Sequence, residues 1–240
     1  MIFNLFKSKP TLKELIPKGF VDIHSHILPG IDDGAQNLNE SLKLIKKMKK
    51  LGFSKIIGTP HTSPGLYNNT NESIKKSFNS VVKKIPKDIK IEYCSEYMID
   101  NSLIKKAKNK ELLCLKDNYI LVEMSFISKP IGLYEILYEI KVNGYIPILA
   151  HPERYLFLTM DNIYKIKNFG CLFQANLLSA TGYYGKSVRV NLDRLLKREL
   201  IDFVGSDIHN IKHIAAFENK VISNEVLKLR EVIDKNNQFS

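Results

Sequence analysis

The chain has 240 residues, 44% of them hydrophobic and 25% charged, enough to bury the core of a single domain without disulfide staples. Its three cysteines, Cys94, Cys114 and Cys171, stand far apart with no CxxC spacing, which excludes a disulfide scaffold and a thiolate zinc site and fits a reducing, cytoplasmic setting. The formal net charge of +11 invites a nucleic-acid reading, but only five of the 36 basic residues are arginine and the lysine runs lie on polar helix faces, so we expect no nucleic-acid partner and instead attraction of an anionic substrate.

Taken in chain order, residues 1–18 read as a leader, with Phe3, Leu5 and Phe6 on a short amphipathic stretch before Pro10 and Pro17. Its apolar stretch is too short for a signal peptide, and no run in the chain reaches transmembrane length. The leader is expected to pack on the domain exterior or on a partner. Residues 19–240 read as one domain.

Apolar runs rich in Val, Ile, Tyr and Phe predict strands at 20–26, 54–61, 89–98, 118–126, 145–151, 171–178 and 202–209. Helical patterns fall between and after them, at 38–51, 72–84, 101–109, 131–142, 160–168, 187–198 and 222–235. The first is the clearest: Leu38, Leu42, Ile45 and Met48 share one face, Asn37 can cap its start and Gly52 follows its end. Seven strand–helix units predict a parallel α/β fold, either a closed or nearly closed barrel or an open doubly wound sheet.

Five of the six histidines, His24, His26, His61, His151 and His209, fall at or just past the end of a predicted strand. So do Asp33, Glu96, Glu123 and Asp207. In a parallel barrel those ends share one rim, where active sites gather. Residues two apart in a strand face the same side, so His24 and His26 can address one ion together, and Asp207 with His209 repeats the spacing. Asp22 points the same way and is a candidate to orient a histidine. A glutamate inside a run such as ILVEMSF is costly unless it is paired or ligating. Nitrogen and oxygen donors without sulfur suit two or three Mn²⁺, Zn²⁺ or Fe ions, among which spacing does not choose.

The segments DIHSHILPGIDDGA (22–35), TPH (59–61), SEYM (95–98), LVEMSF (121–126), AHPERY (150–155), FQANLLSATGYYG (173–185) and VGSDIHN (204–210) resemble the polymerase-and-histidinol-phosphatase (PHP) superfamily. Within it they are most similar to the manganese-dependent protein-tyrosine phosphatases of bacterial capsule and exopolysaccharide clusters. That resemblance implies a distorted (β/α)7 TIM-like barrel and a trinuclear centre holding Mn²⁺. It implies one ion on His24, His26, Glu96 and Asp207; a second on Glu96 as bridge, Glu123 and His151; and a third on Asp33, His61 and His209. It makes Arg154 the catalytic arginine and a metal-bridging hydroxide the nucleophile.

The tyrosinate leaving group, with a pKa of about 10, needs modest acid help, for which Asp33 or a metal-bound water is a candidate. The implied substrate is a phosphotyrosine protein, the tail of a bacterial tyrosine kinase that controls polysaccharide export. One departure stands out: where some family members carry a further arginine beyond the last metal-binding histidine, this chain has Lys212 and His213. The rival readings are a histidinol-phosphate or other small-molecule PHP phosphatase, a TatD-like deoxyribonuclease, an amidohydrolase and a non-catalytic scaffold.

Overall fold

The computed structural model describes residues 9–240. Phe3, Leu5 and Phe6 of the expected leader lie outside the described residues. The remainder of that leader forms one helical turn, α1 (Leu12–Leu15), closed by a reciprocal cap in which Thr11 and Glu14 each bond the other's backbone N–H. Leu12 and Leu15 are buried in the same core as the barrel helices, and Thr11 pairs with Lys220 near the C-terminal end of the fold.

Nine strands follow: β1 (Phe20–Ser25), β2 (Phe53–Gly58), β3 (His61–Thr62), β4 (Lys90–Tyr93), β5 (Glu96–Met98), β6 (Tyr119–Glu123), β7 (Ile146–Ala150), β8 (Leu172–Asn176) and β9 (Phe203–Gly205). They fill the seven predicted strand positions, because two of the runs are each split. Pro60, without an N–H, parts β2 from β3, and Cys94-Ser95 parts β4 from β5. The result is two parallel sheets, β1-β2-β4 and β3-β5-β6-β7-β8-β9, which continue into one another where Pro60 O accepts from Glu96 N.

The barrel closes between β9 and β1, where Ser25 bridges Ile208, His26 N donates to Ile208 O and Asp207 N donates to His24 O. The closed form, not the open doubly wound sheet, is therefore adopted. Close approach at the seam depends on Gly205, where a Cβ would lie 2.6 Å from the His24 Cβ.

The predicted helices appear as α2 (Leu38–Lys50), α3 (Asn71–Val82), α4 (Asn101–Lys108), α5 (Leu133–Val142), α6 (Met160–Asn168), α7 (Lys186–Lys197) and, after the short α8 (Ile211–Ala215), α9 (Val226–Lys235). α2 begins as its sequence demands, with the Asn37 side chain accepting from Glu40 N, a cap worth about 1 kcal/mol.

Apolar faces of these helices pack on the outside of the strands in one continuous cluster. A second cluster fills the barrel itself, with Val21, Ile23, Ile57, Leu121, Ile148 and Phe203 among its members. Phe239 from the chain end is fully buried in it, edge-on to Phe203 and Tyr119. Lys55 Nζ donates to Phe239 O, and Asn236 bonds both Val21 and Val204. The last residues thus close the end of the barrel remote from the histidines. Among the described residues no helix is long and apolar enough to cross a membrane.

Candidate metal centre

All nine predicted ligand residues meet at the C-terminal rim of the strands. Eight are buried or nearly so, while the side chain of Asp33 is half exposed at the mouth. His24 lies in β1, and His26 and His151 follow directly after β1 and β7. His61 opens β3, while Glu96 opens β5 and Glu123 closes β6. Asp207 and His209 differ from expectation: β9 stops at Gly205, so their convergence comes from a turn and not from strand alternation. Asp207 and His151 both sit in the left-handed region, with φ of 51° and 38°. Such strain in non-glycine residues persists where surrounding contacts enforce it.

The inner group carries the most information. Gln174 Nε2 donates to Ala175 O, which leaves Gln174 Oε1 as an acceptor for His24 Nδ1–H at 2.7 Å. His26 Nδ1–H likewise donates to Asp32 Oδ2 at 2.7 Å. With both Nδ1 atoms placed as donors, the Nε2 atoms face each other 3.2 Å apart and, in the neutral rings, would present their lone pairs there. Asp207 Oδ1 lies 3.4 and 3.3 Å from these nitrogens, and Glu96 Oε2 lies 3.2 and 3.4 Å away. Glu96 Oε2 is fully buried and has no aligned hydrogen-bond donor. His24, His26 and Asp207 offer donor atoms within 4.8 Å of one another, with Glu96 Oε2 beside both imidazoles, and this set repels unless a cation or ring protons lie among them. These residues therefore fit a divalent ion with nitrogen and oxygen ligands.

Around this group the other donors form two more clusters. Glu96 Oε1 is 3.1 Å from His151 Nε2, while Glu96 Oε2 and Glu123 Oε1 lie 3.1 and 2.8 Å from His61 Nδ1. Glu96 thus spans the centre, as a bridging ligand must, but Glu123 approaches His61 more directly than the predicted partner His151. Asp33 Oδ1 is 3.4 Å from His61 Nε2 and 3.5 Å from His209 Nε2, and donors of His26, Asp33, His61 and His209 all lie within 4.8 Å of one another.

Charge follows this packing. Burial alone would lower the pKa of His24 and His26, but the neighbouring carboxylates outweigh it and raise both, so without an ion these rings hold their Nε2 protons and a bound cation would take the protons' place. Asp33 is held far below the usual carboxylate range by hydrogen bonds to His209 and His61. His151 goes the other way: burial and then Arg154 push it down to about 4, leaving it neutral, the state a ligand requires.

Beside these side chains lies a cavity of about 280 Å³ walled in part by Phe126, His151, Arg154, Tyr184 and His213. Arg154 follows His151 on a single helical turn (Pro152–Arg154). Its Nη1 donates to Asp207 Oδ2 at 2.9 Å, and its guanidinium lies over the Phe126 and Tyr184 rings at 4.5 and 4.2 Å. Asp207 Oδ2 also accepts from Asn176 Nδ2 at 2.8 Å. The neighbouring Glu153 faces away, accepting from Asn176 N and Ser179 Oγ, and burial pushes it up to about 7. Of the two residues at the departure noted above, His213 faces the cavity, and Lys212 lines a separate depression with Glu40 and Lys43.

Asp22 does not orient a histidine, because its carboxylate accepts from Ser206 N and Oγ and pins β1 to the turn carrying Asp207. The orienting groups are Asp32 and Gln174. The adjacent aspartates of IDDGA and the one glutamine in an apolar strand signal them in retrospect. No thiol reaches the site, and burial raises Cys94 and Cys171 to about 12.

Comparison with known proteins agrees with this geometry. The family model for capsular polysaccharide synthesis, CpsB/CapC, matches residues 20–222. The tyrosine-protein phosphatase YwqE of Bacillus subtilis is 33% identical over 198 residues, covering 80% of this chain and 78% of that protein. The tyrosine-protein phosphatase CpsB of Streptococcus pneumoniae is 29% identical over 202 residues, covering 80% and 83%.

A crystal structure from the study of YwqE and CpsB, described there as metal-dependent tyrosine phosphatases, matches with a TM-score of 0.76 and 30% identity over 88% of this chain and 86% of that one. Histidinol phosphate phosphatase of Lactococcus lactis shares the fold, with a TM-score of 0.54 and 15% identity over 90% and 93% of the two chains. The match across most of the chain, together with these relatives, places the protein in the CpsB/CapC family of capsular polysaccharide synthesis.

Proposed function

We propose that this protein is a metal-dependent protein-tyrosine phosphatase. Its substrate is a phosphotyrosine protein of bacterial polysaccharide synthesis, specifically the C-terminal tail of a tyrosine kinase, and it acts in the cytoplasm. The observation that carries the reading is the pair of opposed His24 and His26 Nε2 atoms, completed by Glu96 and Asp207, with an arginine fork next to them.

His24, His26, Glu96 and Asp207 would hold one ion. Glu96, Glu123 and His151 would share a second, and Asp33, His61 and His209 a third. Mn²⁺ is the ion we assign, with Fe and Zn²⁺ compatible with the same donors. Bound cations supply Lewis acidity toward the phosphoryl oxygens and toward water.

The chain's own residues do the rest. Arg154 is aimed by Asp207 and clamped between Phe126 and Tyr184, so its fork is fixed before substrate arrives. It holds the phosphoryl oxygens and stabilises the charge that spreads over them as the P–O bond breaks. The aromatic walls accept the tyrosyl ring and keep bulk water from the reacting phosphorus. Asp33 sits at the mouth, but both adjacent imidazoles hold it ionised, so we assign it first as a ligand and only second as a proton carrier for the tyrosinate.

The test is turnover by Mn²⁺-loaded protein on a phosphotyrosine peptide, a phosphoserine peptide and histidinol phosphate. The phosphotyrosine peptide should be preferred at least tenfold. Preference for histidinol phosphate would reassign the protein as a small-molecule phosphatase on the same metal centre.

A further inference from the structure

Next to the cleft that holds Arg154, a second depression of about 340 Å³ opens on the same rim. The two share Asp33, His61, Glu123 and Phe126, while Arg154 lines only the first. These four residues form the boundary between them, and Phe126 is the aromatic one. Apart from the shared residues, the second depression is walled by Leu66, Tyr67, Met98, Met124 and Ile127, with two serines. No charged group is added.

A single exposed aliphatic residue means little. Here Leu66 and Ile127, 71% and 88% exposed, stand together on the rim of a concave apolar surface continuous with a metal cleft, where ligands bind. The paired methionines make its walls adaptable in shape without making them polar.

This geometry fixes what can occupy the depression. The phosphoryl group belongs with Arg154 in the first cleft. A polypeptide advances about 3.3 Å per residue when extended, so a chain that leaves the first cleft over Phe126 places a neighbouring side chain in the second. We propose that this depression is a substrate subsite for an apolar side chain one or two positions from the phosphotyrosine, with Leu66 and Ile127 setting the selectivity. The inference rests on the tyrosine-phosphatase reading above and adds the substrate context that reading leaves open.

The test compares kcat/KM on two phosphotyrosine peptides that differ only in having Leu or Ser at the flanking positions. Para-nitrophenyl phosphate, which has no flanking residue, is measured alongside. Wild-type protein should prefer the Leu peptide by roughly ten- to a hundredfold, the range expected for burying one aliphatic side chain, and mainly through KM. Leu66→Gln and Ile127→Gln, at exposed positions, should reduce that preference to below about threefold, and Lys46→Gln on α2 should leave it in place.

Equal rates on both peptides in the wild type would overturn the subsite. A fall on para-nitrophenyl phosphate proportional to that on the peptides would overturn it too, because the damage would then lie in the metal cleft. A concentration-dependent dimer lost in Ile127→Gln, with unchanged peptide preference, would assign the patch to a second copy of the chain instead. No turnover of any of the three substrates by metal-loaded protein would refute the phosphatase reading itself, and the subsite with it.

Discussion

Replacing Arg154 with alanine separates chemistry from architecture. The side chain makes one ion pair, to Asp207, and two stacked contacts, over Phe126 and Tyr184. Losing the stacked contacts costs about 0.5–1 kcal/mol each, and the largely buried ion pair adds up to about 3–5 kcal/mol in metal-free protein, so the comparison is made on metal-loaded protein, where a bound cation pairs with Asp207. Asp207 keeps its bond from Asn176 and its backbone bond to His24 O, so the inner group of side chains stays in place and metal content should not change.

The catalytic loss is larger. One preorganised donor to the developing charge contributes about 2.7–4 kcal/mol, or a 10²–10³-fold fall in kcat/KM. Arg154→Lys should recover only part of it, because an ammonium cannot form the fork. The assay is kcat and KM on a phosphotyrosine peptide, with bound metal and Tm measured on the same samples. An alanine variant with full metal and near wild-type turnover would make Arg154 a structural rim residue and refute the clamp.

Glu96→Gln should weaken metal binding in at least two of the three clusters, because Glu96 reaches His24, His61 and His151, whereas Lys46→Gln, at an exposed position of α2, should leave metal content and turnover unchanged. Equal metal content in these two variants would remove Glu96 from the bridging role. Asp32→Asn should lower metal affinity about 10–100-fold without removing a ligand, because the carboxylate that fixes the His26 tautomer is lost, and calorimetric titration with Mn²⁺ would detect it. Phe239→Ala should cost about 3–5 kcal/mol in denaturant unfolding, since the ring is fully buried at the closed end of the barrel; a loss below 1 kcal/mol would show that the chain end is dispensable there.

Much of this was legible in the residues. Strand positions followed from runs of β-branched and aromatic residues, and α2 with its Asn37 cap followed from periodicity. The candidate ligands could be listed because a histidine or carboxylate at the end of an apolar strand is conspicuous. What stayed hidden depended on contacts remote in sequence. Gln174 reaches His24 across 150 positions, and Asp22 bonds Ser206 across 184. The break at Pro60 has a visible cause in the missing N–H, which reading 54–61 as one strand passes over, while Cys94-Ser95 carries no comparable mark within 89–98. The left-handed turn at Asp207 has only a weak local signature, because aspartate enters that region more readily than most residues but does so at few of its positions. The seam to β1 imposes that conformation.

The central claim is that the opposed imidazoles of His24 and His26 bind a divalent cation. Anomalous diffraction at the manganese edge, from crystals grown with saturating Mn²⁺, tests it most directly. The account predicts a peak within coordination distance of both Nε2 atoms, Glu96 and Asp207, with at least one more beside Glu96. Density without a peak between the two rings, in protein that hydrolyses phosphotyrosine, would contradict it.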